Sequence, residues 1–164
     1  MLKLYPYQKN LKAKFKAQKT RIAKAIGDLP IEHIGSTAVT GLGGKGIIDI
    51  MIGLDNWSQA PKVVKKLKLL GFRHIHPKNQ ERIFLSPKAQ TVYGDTHIHL
   101  AIVESQPYRE ILAFRDYLRK NKIAAKKYYQ LKKDLIKITA GKRPEYTKSK
   151  SHFINSILKR RIKK

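Results

Sequence analysis

Cysteine is absent from the 164-residue chain. This excludes disulfides and thiolate metal sites and suits a reducing cytosol. Acidic residues are scarce: 11 Asp+Glu stand against 36 Lys+Arg, a formal net charge of +25. No apolar run approaches the length of a membrane span. The N-terminal stretch "MLKLYPYQKNLKAKFKAQK" lacks the uninterrupted apolar centre of a signal peptide, so a soluble, cytoplasmic protein is expected. Long linkers, internal repeats and low-complexity tracts are also missing. With an ordinary apolar fraction of 41%, the sequence reads as a single domain over 1–164 with a C-terminal helical part from about 107.

The charge excess surrounds the chain with positive potential that attracts polyanions such as nucleotides, nucleic acid or an acidic membrane surface. Lysines solvated on helix faces explain the same excess without a cognate polymer. They are spread over several helices rather than gathered in one arginine-aromatic cluster.

Periodicity organises the rest. Residues 8–26 place Leu11, Phe15, Ile22 and Ile26 on one helical face, and Gly27 stops the helix. Residues 31–34 and 47–54 read as strands, the second almost wholly apolar and therefore central. Val63, Val64, Leu67 and Leu70 give a helix over 58–70, and short strands follow near 72–75 and 82–85. "THIHLAIVE" alternates: Ile98, Leu100 and Ile102 point one way, His97, His99 and Ala101 the other. From 107 to 138 the pattern is helical with a break near Asn121, and its core candidates are Leu118, Tyr128, Leu131, Leu135 and Ile138. "GKRP" at 141–144 reads as a turn. A last helix from about Tyr146 turns Phe153, Ile154, Ile157 and Leu158 inward. Strands in the middle and helices at both ends predict an α+β fold: a small mixed β-sheet with helices packed mainly on one side.

"HIGSTAVTGLGGKGIIDIMIGL" (33–54) carries the chemistry. "GLGGKG" matches G-x-G-x-x-G literally, but a strand follows it where that fingerprint needs a helix N-terminus. The P-loop pattern fails as well, because Gly46 follows Lys45 and Val39 stands at its first glycine. A third arrangement fits: a strand ending in Gly-Ser, a short excursion, then a strand bearing an aspartate. Gly35 permits a sharp turn, Ser36 and Thr37 offer hydroxyls and N–H groups to a phosphate, and Asp49 can hold a bridging magnesium ion. This is the front half of the nucleotidyltransferase signature of the DNA polymerase beta superfamily.

Together, "IEHIGSTAVTGLGGKGIIDIMIGL", "THIHLAIVE", "EILAFRDYLRKNKIAAKKYYQLKKDL" and "YTKSKSHFI" closely resemble the GrpB family, in its order and over most of the chain from residue 31. The resemblance implies a nucleotidyltransferase-like fold and a cytoplasmic location. It leaves activity open, since fold kinship carries function only through site residues.

Two-metal nucleotidyl transfer needs acids at alternate positions of one strand. Asp49 supplies one; the next same-face position is Met51, which cannot hold a hard cation. His97 and His99 share a face and, with Asp49, would complete a carboxylate-imidazole set for a divalent metal (Mg or Mn, or Zn). The alternative is that these histidines hydrogen-bond within a polar sheet face. By the resemblance, Lys45 and Arg82 are phosphate-binding candidates beside Gly35, Ser36 and Thr37, and His33 lies near the same cleft or caps the turn. Arg82 beside Glu81 also reads as a surface ion pair. His74 and His76 repeat the H-x-H spacing at a strand end, where solvation explains them. Arg115 and Asp116 either reach the cleft or serve helix packing. Lys132, Tyr146, Lys148 and Lys150 either ring a nucleotide or cover the helical layer.

The expected function is a nucleotidyltransferase-like protein that binds a nucleoside triphosphate and a divalent metal, with Asp49 and His99 as its catalytic pair. An unknown acceptor would receive the nucleotidyl group. The rivals are a catalytically degenerate nucleotide- or anion-binding module, and a basic nucleic-acid-associated protein using Lys126, Lys127, Lys132 and Lys133. A metal-dependent hydrolase on the two H-x-H pairs stands behind both.

Overall fold

Five strands make one mixed sheet in the order β1-β2-β5-β4-β3. They are β1 (Ile31–Ile34), β2 (Ile48–Leu54), β3 (Phe72–Lys78), β4 (Arg82–Pro87) and β5 (Thr96–Ile102). β2 and β5 run parallel at the centre, and every other neighbouring pair is antiparallel. The coordinates are a computed structural model that describes residues 3–78, 81–87, 96–140 and 143–162; the side chains of 74–78, 143–144 and 160–162 lie outside the description.

The period-two alternation of β2 and β5 decides what each sheet face becomes. Ile48, Ile50, Ile52 and Leu54 of β2 join Ile98 and Leu100 of β5 on one face. There they pack against α1 (Leu11–Ile26) and α2 (Ala60–Leu69) through Leu11, Ile22, Val63 and Leu67. The intervening residues face the other way. Met51 and Ala101 are covered by Tyr108 of α3 (Gln106–Lys120), while Asp49, His97 and His99 lie beyond that contact and border a cleft.

Two further helices complete the wall of the cleft: α4 (Lys122–Ile138) and α5 (Arg143–Ile162). The break at Asn121 follows from local chemistry. Asn121 is extended (φ −122°, ψ 92°) and its side-chain oxygen accepts from Ala124 N at 2.9 Å, an N-cap that starts α4 in a new direction. Tyr128 of α4 packs with Leu118 of α3 and with Val39 and Leu42 of the loop before β2.

Several boundaries differ from the sequence expectation. α1 begins at Leu11, β3 runs to Lys78, and β4 to Pro87. Half of the expected "GKRP" turn falls on 141–142, outside the described residues, while Arg143 and Pro144 already open α5. Proline is compatible with a first helical turn, because its missing N–H has no partner to lose there. Ile138, expected in the core, is 78% exposed. It ends α4, beyond the cluster in which Leu135 and Ile136 meet Tyr146.

Leu67 is fully buried on α2, whereas its neighbour Leu69 is 81% exposed. Chemical denaturation is expected to show Leu67→Ala losing about 2–5 kcal/mol and Leu69→Ala less than about 0.5 kcal/mol. Equal losses would contradict this packing.

Candidate functional site

β1 ends at Ile34, and Gly35 then turns the chain with φ +71° into a single 3-10 turn, Ser36–Ala38. A β-carbon at Gly35 would collide with Asp49 Oδ2, so both backbone sign and space require glycine here. The turn therefore lies directly over the Asp49 carboxylate. Register sets Asp49 across from Ile34 on one side and from His97 on the other.

His97 Nδ1 stands 3.3 Å and His99 Nε2 3.7 Å from the same oxygen, Asp49 Oδ1. Phe84 of β4 packs its ring against both imidazoles, at 5.0 and 5.1 Å between centroids. Burial pushes the Asp49 carboxyl up, but the hydrogen bonds from His97 and His99 outweigh it and hold the group well below the usual carboxylate range. His99 is lowered by its burial, helped by the nearby positive charge of Arg82 and opposed by Asp49. Arg82 is itself half-buried and shifted down by desolvation. Its charge is felt at His99, and its place on β4, in phase with Phe84, puts it on the cleft face of the sheet.

The expected carboxylate-imidazole trio is thus brought together. Among the described residues, no three His, Asp or Glu side chains are arranged to hold a metal ion. Both imidazoles address one carboxylate oxygen, which serves them as a shared acceptor. With Nε2 of His99 turned to Asp49, its Nδ1 is buried without a hydrogen-bond partner and faces no common centre. Met51, at the position of a second acid, is fully buried among apolar side chains. The donor set does not fit a two-metal centre.

Other expectations separate in the same way. Gly35 and Ser36 line the cleft with Asp49 and His99. Thr37 does not: it is buried, its hydroxyl donates to Ile47 O (3.1 Å) and pairs with His33 Nε2 (3.0 Å). His33 lies on the opposite sheet face, stacked on Phe15 at 4.3 Å. Burial and the charge of Arg119 hold its imidazole down at about 4. Arg115 does line the cleft, and it also ties α3 to β1. Its guanidinium donates to Glu32 Oε2 (2.6 Å) and His33 O (3.1 Å) and pairs with Asp116. The side chains of His74 and His76 lie outside the described residues.

On the other side of Asp49 the cleft continues into a hollow of about 210 Å³ bordered by Lys45, Lys132 and Lys150 together with Tyr128 and Tyr146. Lys132 is only 4% exposed. Its Nζ donates to Gly43 O at 2.6 Å, and Tyr128 and Tyr129 present their rings at 5.1 and 5.5 Å. Desolvation, then Lys150 and Lys45, lower this ammonium to about 7, against the opposing pull of Asp49. Tyr146, almost wholly buried, is flanked by Lys45 (5.3 Å) and Lys150 (4.5 Å); burial raises its hydroxyl to about 12. The sequence did carry a signal for Lys132. It stands four residues after Tyr128 and three before Leu135, on the apolar stripe of α4, where a solvated lysine does not belong. Lys148 is exposed and does not border the hollow.

This geometry agrees with what the chain resembles. The family model for the GrpB protein matches residues 1–160. The chain belongs to the GrpB family. The Glutamate-rich protein GrpB of Alkalihalophilus pseudofirmus is 31% identical over 161 residues, spanning 94% of this chain and 92% of that protein. The crystal structure of the conserved protein GrpB from Enterococcus faecalis superposes with a TM-score of 0.84 at 25% identity, covering 98% of both chains. The Cid1 poly(U) polymerase, solved with MgGTP, matches 80% of this chain and 44% of its own with a TM-score of 0.56 at 13% identity, which places the GrpB chain among nucleotidyltransferase folds. Among the described residues no helix is long and apolar enough to cross a membrane.

A lysine lowered from 10.5 to about 7 on folding binds fewer protons in the native than in the unfolded state between those values. Stability therefore rises with pH through that window and the penalty is complete below it. Lys132→Met removes the linkage. Denaturation at pH 7 and pH 9.5 is expected to show wild type gaining stability relative to the variant at the higher pH. A constant difference would contradict the lowered ammonium.

Proposed function

We propose that this GrpB-family chain binds the phosphates of a nucleotide in the cleft between the Gly35-Ser36 turn and α4. The observation that carries the reading is the gathering of Lys45, Lys132 and Lys150 around one hollow beside the Gly35-Ser36 turn. A polyanion complements three ammonium groups that border one hollow, and desolvation strengthens each contact made there. Ser36 and the turn amides supply neutral donors to the same anion. Arg82 stands on the His99 side, where its positive charge is felt at the imidazole. The fold likeness to Cid1, solved with MgGTP bound, supports a nucleotide over another polyanion.

Asp49 sits after the Gly-Ser turn at the place of the first acid of nucleotidyl transfer, and this favours a second reading with turnover. Asp49 and His99 would then be the catalytic pair. The missing second acid and the mutual engagement of Asp49, His97 and His99 favour the binding reading, in which the trio shapes the cleft floor.

Affinity for fluorescent ATP and GTP, measured with magnesium and in EDTA, tests both. Binding is expected to persist in EDTA and to weaken about tenfold or more in Lys132→Met, a loss of about 1.4 kcal/mol. Because phosphate favours the charged lysine, affinity is expected to fall as pH rises from 6.5 to 8.5. Equal affinity in wild type and variant would overturn the reading. Metal-dependent release of pyrophosphate that is lost in Asp49→Ala would establish turnover instead.

A further inference from the structure

A second and larger hollow, about 600 Å³, opens on the far side of the 38–42 loop. Leu118 is shared: it lines this hollow and the Asp49 cleft. The floor is apolar and buried, made by Ala38, Leu42, Leu118 and Ala125, and Tyr129 forms one wall. Its rim carries Lys12 from α1, Arg119 from α3, and Lys122 and Lys126 from α4, all exposed. No carboxylate is among the lining residues. Arg119 is fixed in place, its Nε donating to Ala38 O at 2.9 Å and its Nη1 standing 3.4 Å from Asp116.

The α4 side of this hollow is periodic. Lys122, Lys126, Tyr129 and Lys133 fall at i, i+4, i+7 and i+11, a single stripe of the helix. Lys133 stands 4.5 Å over the Tyr129 ring, so the stripe sets one aromatic ring among three lysines along about 16 Å of helix. We propose that this hollow is a second ligand site, one that takes single-stranded nucleic acid. One base enters the apolar floor against Tyr129, and successive phosphates of the strand meet Lys122, Lys126 and Lys12.

The combination selects this partner by its chemistry. Apolar floor plus aromatic wall suits the faces of a base, whereas a row of cations one helical turn apart suits a repeating anion. A duplex keeps its bases stacked inside and offers nothing to the floor. A protein partner of acidic character would use the lysines and leave the tyrosine wall without purpose. The net charge of +25 draws any such strand towards the surface, and the hollow gives it a place to stop. Because no residue of the Lys45-Lys132-Lys150 grip lines it, this site stands independently of the nucleotide reading. Of the lysines named from sequence, Lys126, Lys127, Lys132 and Lys133, only Lys126 lines this hollow, and Lys132 is buried.

Anisotropy of a labelled 12-residue oligo(U), titrated over a range of salt, decides the question, with unlabelled UMP and a 12-base-pair duplex as competitors. Lys122→Glu/Lys126→Glu is compared with Lys62→Glu/Lys65→Glu, which removes the same charge from exposed positions on α2 across the sheet. The expected result is a loss of tenfold or more in the α4 variant and under threefold in the α2 control. The slope of log affinity against log salt should shrink by about 1.4 in the α4 variant, two phosphate contacts at about 0.7 each. Equal losses in the two variants would overturn the site, since binding would then track overall charge alone. Competition by UMP or by duplex as effective as by oligo(U) would overturn the single-strand assignment. Lys122→Glu/Lys126→Glu should bind fluorescent ATP within about threefold of wild type, which separates a failure here from a failure of the nucleotide cleft.

Discussion

A buried ammonium organises this molecule's functional end. Lys132 reaches from the apolar stripe of α4 to Gly43 O at 2.6 Å, and that bond fixes the glycine-rich loop against the helical layer. The loop is gripped from its other side by a two-bond bridge in which Tyr5 N donates to Gly44 O (2.7 Å) and Gly44 N to Tyr5 O (3.0 Å). A segment with this much glycine has little intrinsic preference for one conformation, so its shape is owed to these attachments. Burying a cation is costly unless it is hydrogen-bonded and paired. Here one carbonyl and two tyrosine faces partly compensate, with Asp49 adding a longer-range attraction. The remaining imbalance is what an anion would correct.

The same economy of placement governs Asp49. A seven-residue strand buried on both faces cannot carry an acid at random. Parallel pairing with β5 sets Asp49 beside His97 and close to His99, and antiparallel pairing with β1 sets it under the Gly35 turn. The carboxylate is stabilised by imidazole donors that lie on its own sheet face. This explains how a single acid is accommodated at the edge of an apolar core. Met51, one alternation further on, falls beneath α3 and so belongs to the packing of Tyr108 and Ala101.

Much of this was legible in the chain. The alternation of "THIHLAIVE" and the apolar run of β2 gave strand type, position and facing, so Asp49, His97 and His99 were expected on one surface and are found there. The Gly-Ser turn was legible because only glycine permits that backbone. What alternation could not reveal was the direction of ring nitrogens, which turns His97 Nδ1 and His99 Nε2 toward one carboxylate oxygen. Thr37 was harder for a related reason: next to such a turn, polar residues serve equally well as internal struts, and His33, read as lying near the cleft or capping the turn, takes the second role by pairing with Thr37 Oγ1. Lys132 hid within a lysine-rich helix, where its stripe position rather than its type was the informative feature. Ile138 lay in phase with the core residues of α4, but phase does not report where the neighbouring helix ends.

Whether the hollow of Lys45, Lys132 and Lys150 takes phosphate is read directly in the charge state of Lys132. In protein labelled with ¹⁵N at lysine Nζ, the NMR titration of Lys132 should centre near 7 without ligand and move well upward when a nucleoside triphosphate is added. A titration near the ordinary lysine value of 10.5, unmoved by the nucleotide, would contradict the account.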